Sequence, residues 1–182
     1  MFSDKRSRKV ILVSHCILNQ NTKLDECAHF PGPVSDVLEL LNNRGYGIIQ
    51  MPCPELLLLG LDRQVNYLDN PTVMSEDTRI AKFMKEKKAQ QFCKKLTEDI
   101  IYQIKEYQMN EFEIIGLIGI NGSPTCGVET TWSENEERTG YGEFIKILTK
   151  EFEQNGIHLK MTGIKSIDPD SAVKNIIKML EA

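Results

Sequence analysis

Residues 113–129 read "EIIGLIGINGSPTCGVE". After the leading Glu113, the residues to Ile120 are apolar apart from glycine. A short run of this kind suits a central parallel strand covered on both faces. The loop behind it is crowded with glycine, proline, serine and threonine and carries one thiol, Cys126. A buried strand that runs out into so particular a loop implies a sheet with a ligand-bearing edge, and the rest of the chain is read from there.

Toward the N-terminus, Lys9 to Val13 ("KVILV") reads as a second buried strand, ending in Ser14-His15-Cys16. Val34, Val37, Leu38 and Leu41 fall at helical spacing behind Pro31-Gly32-Pro33 and ahead of Asn43 and Gly45. Tyr46 to Met51 is the next strand. Pro52 and Pro54 around Cys53 deny it backbone donors and end it. Residues 61–74 read as an irregular connection turning at Asp69-Asn70-Pro71. Glu76 to Tyr107 is one long helix or two abutting ones, with Phe92, Cys93, Leu96, Ile100, Ile104 and Tyr107 on one face. Toward the C-terminus, Tyr141 to Glu153 is helical and Gly156 stops it. Ile157 to Ile164 is a weaker strand, and Asp168 or Pro169 opens a last helix to about Leu180. This alternation of strand and helix predicts a doubly wound α/β sheet, because parallel strands need crossovers.

A chain of 182 residues is one domain's length, so residues 1–182 are read as a single domain. With 41% hydrophobic and 26% charged residues it has an ordinary globular composition, and a net charge of −4 gives no global attraction to nucleic acid or anionic membrane. No apolar run approaches the ~20 residues of a membrane span, and the N-terminal apolar stretch is too short for a signal peptide. A cytoplasmic protein with no membrane contact is expected. Residues 82–95 hold six lysines against one glutamate. Such a run on a helix with an apolar opposite face reads as solvated surface, so tRNA or other nucleic acid is not expected as a partner.

In a reducing compartment the five cysteines are not expected to pair. Sheets of this kind bind ligands beyond the carboxyl ends of their strands, and Cys16, Cys53 and Cys126 each follow a strand. Three thiols from three segments would meet at one edge. They are either small residues packed at strand ends or a soft-metal site, zinc or iron–sulfur. Three ligands leave a coordination position open, unless His15 or Cys27 closes it. Glu55, two residues after Cys53, adds a carboxylate at the same mouth, and Ser123 a hydroxyl. Gly119, Gly122 and Gly127 would let the backbone come close to a bound group. Cys93 belongs to the apolar helix stripe and reads as core. His15 alternates away from Cys16 and reads as structural, while His29 is a candidate to line the pocket. Arg63 is a partner for Glu55, for an anionic substrate or for a surface salt bridge. The acidic segment between Trp132 and Tyr141 is a solvated loop or a lid.

Three motifs, "VSHCILNQNTK", "CPELLLLGLDR" and "GSPTCGVE", stand in the same order as in the thiouracil desulfurase family, which the chain resembles over roughly residues 9–165. The resemblance implies a Rossmann-like, three-layer α/β fold with a mostly parallel sheet of about four strands and helices on both faces. It implies a [4Fe-4S] cluster held by Cys16, Cys53 and Cys126 with one open iron, and a small thiolated, thiouracil-like substrate. The activity implied is a desulfidase, with non-redox C–S cleavage in which sulfur passes to the open iron and is released as sulfide. Glu55 would be the general base and Ser123 would orient substrate. Two departures stand out. Residues 19–24 replace the family's Arg-Tyr-Asp-Gly segment, and Thr125 stands where serine is usual. Other readings of the three cysteines are a non-catalytic iron–sulfur sensor, a sulfur carrier or a zinc-dependent hydrolase.

Overall fold

The computed structural model describes residues 2–182. Its strands are β1 (Lys9–Ser14), β2 (Gly47–Met51), β3 (Glu113–Ile120), β4 (Thr130–Ser133), β5 (Glu136–Thr139) and β6 (Met161–Ile164). Its α-helices are α1 (His15–Leu18), α2 (Ser35–Asn43), α3 (Pro54–Leu59), α4 (Val73–Met84), α5 (Lys87–Met109), α6 (Glu143–Gln154) and α7 (Pro169–Glu181). Strands β2, β1, β3 and β6 form one sheet in that order, every pair parallel. The fold is three-layer α/β, as expected from the sequence.

The side-chain period of a strand explains the layers. From β1, Val10 and Leu12 point to one face, with Leu117 of β3 and Ile49 and Met51 of β2. There they pack against Leu59 of α3, Ile80 and Met84 of α4, Ile100 and Ile104 of α5, and Phe144 and Leu148 of α6. Ile11 and Val13 point to the other face, with Ile118, Ile120 and Ile164, and meet Val37 and Leu41 of α2 and Ile176 of α7. Covered on both sides, β1 and β3 have no polar alternation, which is why they read as unbroken apolar runs. At Gly116 the β1–β3 register slips, and a Cβ there would come within 2.7 Å of the Lys160 carbonyl, so the bulge needs glycine.

Of the two alternatives for the segment from Glu76, the structure has the abutting helices, α4 and α5, broken at Lys85–Glu86. Two other local features differ from the sequence reading. Residues 54–59, left without an element, form α3, with Pro54 in its first turn and Cys53 as its N-cap. The segment after Cys126 is neither lid nor loose loop but an antiparallel hairpin, β4–β5, turning through Glu134 and Asn135, both at positive φ. Trp132 Nε1 donates to Thr78 Oγ1 at 2.9 Å and ties the hairpin to α4. No helix among the described residues is long and apolar enough to cross a membrane.

Candidate functional site

In a sheet of order β2-β1-β3-β6 the chain leaves β1 in opposite directions on its two sides. The crevice between the carboxyl ends of β1 and β3 is therefore the switch point where such sheets take ligands. Register puts the thiols there. Ser14 pairs with Met51, so β1 and β2 end level, and Cys16 and Cys53 each stand two residues beyond. The loop after β3 turns back until the Cys126 carbonyl accepts from Ile120 N at 2.9 Å, which returns Cys126 to the strand end. All three cysteines line one cavity of about 300 Å³.

The Cys126 loop is held from every side. Ser123 Oγ accepts from Cys126 N at 3.0 Å and Thr125 N at 3.2 Å. Asn121 Oδ1 gathers the amides of Val128, Glu129 and Thr130, and Asn121 Nδ2 donates to Glu129 Oε2 at 2.7 Å. Pro124 and Thr125 carbonyls accept from Glu143 N and Phe144 N, so the start of α6 is docked beneath the loop. The glycines serve this self-closure. A Cβ on Gly119 would meet the Cys126 carbonyl at 2.5 Å, and one on Gly127 the Thr130 carbonyl at 2.1 Å. The space that glycine opens at these two positions is filled by the loop itself, which corrects the reading that it makes room for a bound group.

Cys53 begins α3, and its Sγ accepts from Leu56 N at 3.5 Å. In the same helical turn, Glu55 accepts from Arg63 Nε at 3.2 Å. Arg63 is only 2% exposed, so it is no surface salt bridge. Its remaining donors go to the carbonyls of Gly60, Leu61 and Thr22, and Nη2 lies 3.8 Å from Cys53 Sγ. One guanidinium thus fixes the catalytic candidate Glu55, the turn after α3 and the loop after α1, the geometry Arg satisfies and Lys cannot. Thr22, Lys23 and Leu24, part of the segment that departs from the resembled family, form cavity wall.

Burial pushes the thiols up: Cys16 to about 12 and Cys53 to about 11, with Cys126 also raised well above an ordinary thiol. After burial, the next cause is a negative neighbour in each case, another of these thiols for Cys16 and Cys126 and Glu55 for Cys53. Three thiolates at this spot need positive charge among them, which a metal centre supplies. Neighbouring Cys16 and Cys126 in sequence are three buried polar atoms without a hydrogen-bond partner: Ser14 Oγ, His15 Nε2 and Thr125 Oγ1. The Ser14 hydroxyl is close enough to favour the Cys126 thiolate but is not at bonding geometry. Orphaned polar groups are rare in a core and ask for a missing partner. No group of three or more His, Cys, Asp and Glu side chains among the described residues is spaced to hold a metal ion. Three thiols on one cavity are nonetheless a soft donor set, of the kind that suits a thiophilic group.

The other candidates separate cleanly. Cys93 is fully buried in the core of α5. His15 Nδ1 pairs with Gln50 Nε2 at 2.8 Å. His29 is exposed at the cavity rim, its amide held by Gln20. Cys27 lines the cavity, its thiol raised to about 11 by burial and by Asp77. The lysines of 82–95 are exposed. Sequence reading missed Asp77 and Lys23, both of which line the cavity. Asp77 had a signal: it stands three, four and seven residues before Ile80, Ala81 and Met84, a carboxylate on a buried stripe.

The uncharacterized protein MJ0003 of Methanocaldococcus jannaschii is 38% identical over 123 residues, which cover 68% of this chain and 70% of that protein. The chain belongs to the MJ0003 family. No protein-family model matches it. Among solved structures, the [4Fe-4S]-dependent thiouracil desulfidase TudS aligns over 94% of this chain and 99% of its own, at 19% identity and a TM-score of 0.49. That likeness is too remote to carry an argument, so the chemistry of this MJ0003-family member rests on its own site.

Proposed function

We propose that the protein is an iron–sulfur-dependent desulfidase that removes sulfur from a small thiolated, thiouracil-like compound. The observation that carries the reading is the convergence of Cys16, Cys53 and Cys126 with Glu55 on one cavity at the sheet's switch point. The motif resemblance supports it independently. Cys16, Cys53 and Cys126 would hold a [4Fe-4S] cluster. When bound, the cluster would supply an exposed iron as Lewis acid and acceptor for sulfur.

The chain's own residues do the rest. Glu55, fixed by Arg63, accepts a proton from the water that attacks the carbon bearing sulfur. Ser123 Oγ, already accepting from two amides, keeps its own proton to donate to substrate. The cavity of about 300 Å³ suits a small heterocycle. An open cavity with a fixed carboxylate favours an enzyme over a sensor or sulfur carrier.

The test is sulfide release from 2-thiouracil by anaerobically reconstituted protein. Wild type should release sulfide and form the oxo product. Glu55→Gln should retain its iron and lose turnover by ~100-fold or more. Iron-loaded wild type that releases no sulfide from any thiopyrimidine offered would refute the reading.

A further inference from the structure

Asp77 is the one polar side chain of its α4 turn left without a partner. Before it, Glu76 is bound to Arg79 at 2.6 Å, and Arg79 also reaches the Arg63 carbonyl at 2.7 Å. After it, Thr78 accepts the Trp132 indole, and Ile80 is locked in the core. The helix is pinned on both sides, so Asp77 is held against the cavity with no hydrogen bond or ion pair among the described residues. The groups facing it are Glu55 from α3, Lys23 and Cys27 from the loop after α1, and Glu76 from its own helix. Glu55 is committed to Arg63 and Lys23 Nζ to Ser166 Oγ at 2.9 Å. Burial, then the charge of Glu55, raises the Asp77 carboxyl to about 7, against a smaller opposing pull from Lys23. A partly desolvated carboxyl with no structural partner costs stability, and such groups are kept where they exchange protons.

Resting on the desulfidase reading above, we propose that Asp77 is the second acid–base residue of the site, giving a proton to the sulfur of a thione substrate while Glu55 takes one from water. The water oxygen bonds to the thione carbon and the C=S π pair moves onto sulfur. Glu55 takes one water proton, and Asp77 gives its own to sulfur. On collapse, the added hydroxyl returns its proton to Asp77 and the C–S bond breaks with its electron pair on sulfur. The departing hydrosulfide takes the proton from Glu55, so the products are the oxo compound and hydrogen sulfide, with both carboxyl groups reset. Two carboxyl groups whose surroundings set them apart, one ion-paired and one alone, divide base and acid work in this way.

Two readouts test this. In cluster-loaded protein given 2-thiouracil from about pH 6 to about pH 9, Asp77→Asn should lower kcat by ~100-fold or more, with KM little changed. It should also abolish the fall in wild-type rate centred near pH 7. Asp77→Glu should restore part of the rate and the pH limb, which a merely structural role would not do. Wild-type kcat and an unaltered pH profile in Asp77→Asn overturn the proposal. The second readout needs neither cluster nor turnover: in cluster-free protein, the carboxyl carbon-13 signal missing from Asp77→Asn should titrate near 7. A midpoint below about 5, the ordinary carboxylate range, overturns the role of Asp77 alone. Absence of sulfide release from loaded wild type instead overturns the desulfidase reading and the proton's destination with it.

Discussion

Cys93 and Cys126 are hidden almost equally, at 0% and 8% exposure, yet they sit in different kinds of interior. Cys93, on α5, belongs to an apolar cluster with Ile100 and Phe144 and behaves as a small hydrophobe. Cys126 lies in a loop most of whose amides are gathered by Ser123, Asn121 and Ile120, near the Ser14 hydroxyl, which has no partner. Burial does not tell the two apart. Unsatisfied polar atoms and nearby thiols do.

The pair can be broken by substitution. Cys126→Ala should remove most of the iron taken up on anaerobic reconstitution, whereas Cys93→Ala should load like wild type and lose only about 1 kcal/mol of stability. Equal iron in the two variants would erase the distinction drawn between them. Arg63→Ala comes next in size. It strips Glu55 of its partner and frees three carbonyls inside the protein, so a loss of about 3–5 kcal/mol is expected, read as a lower urea midpoint at unchanged slope. Gly127→Ala forces a Cβ to within 2.1 Å of the Thr130 carbonyl and should distort the Cys126 loop, costing roughly 2–3 kcal/mol along with iron uptake. A variant with normal iron uptake would show the loop to be more pliant than its hydrogen bonds imply.

The effect of Asp77 depends on pH and has a definite sign. Unfolded, Asp77 ionises near 3.8; folded, it holds its proton to about 7. Between those values the folded chain keeps a proton that the unfolded chain has lost, so stability attributable to Asp77 falls as pH rises through the window. Asp77→Asn removes that loss. Its gain over wild type should be absent below the lower value, grow between the two and level off above the upper, reaching roughly 2–3 kcal/mol. Thermal melts of both proteins across that range check it. A gain that does not change with pH would place the benefit outside ionisation.

Much of this was legible in the residues. The apolar runs at Lys9–Val13 and Glu113–Ile120 and the proline fence around Cys53 fixed a parallel sheet and set three cysteines at its edge. That inference needed only the rule that parallel strands end on one side. The hairpin β4–β5 was hidden because its strands are only four residues each, the second largely charged, with a turn made by Glu134 and Asn135 and no glycine. Arg63 was left between three roles because its partners, Glu55 and the Thr22 carbonyl, come from different segments. Asp77 was missed although its place on the Ile80–Ala81–Met84 stripe is a sequence feature, since a lone acid in a long amphipathic helix is usually solvent-facing. Gly119 and Gly127 were seen but misassigned, because sequence gives the need for room and not what fills it.

The central claim is that Cys16, Cys53 and Cys126 together hold a four-iron centre. Iron and acid-labile sulfide measured on anaerobically reconstituted wild-type protein test it most directly. About four of each per chain, with the associated brown absorbance, is the result expected. A colourless protein that binds stoichiometric zinc, or no metal at all, would contradict it.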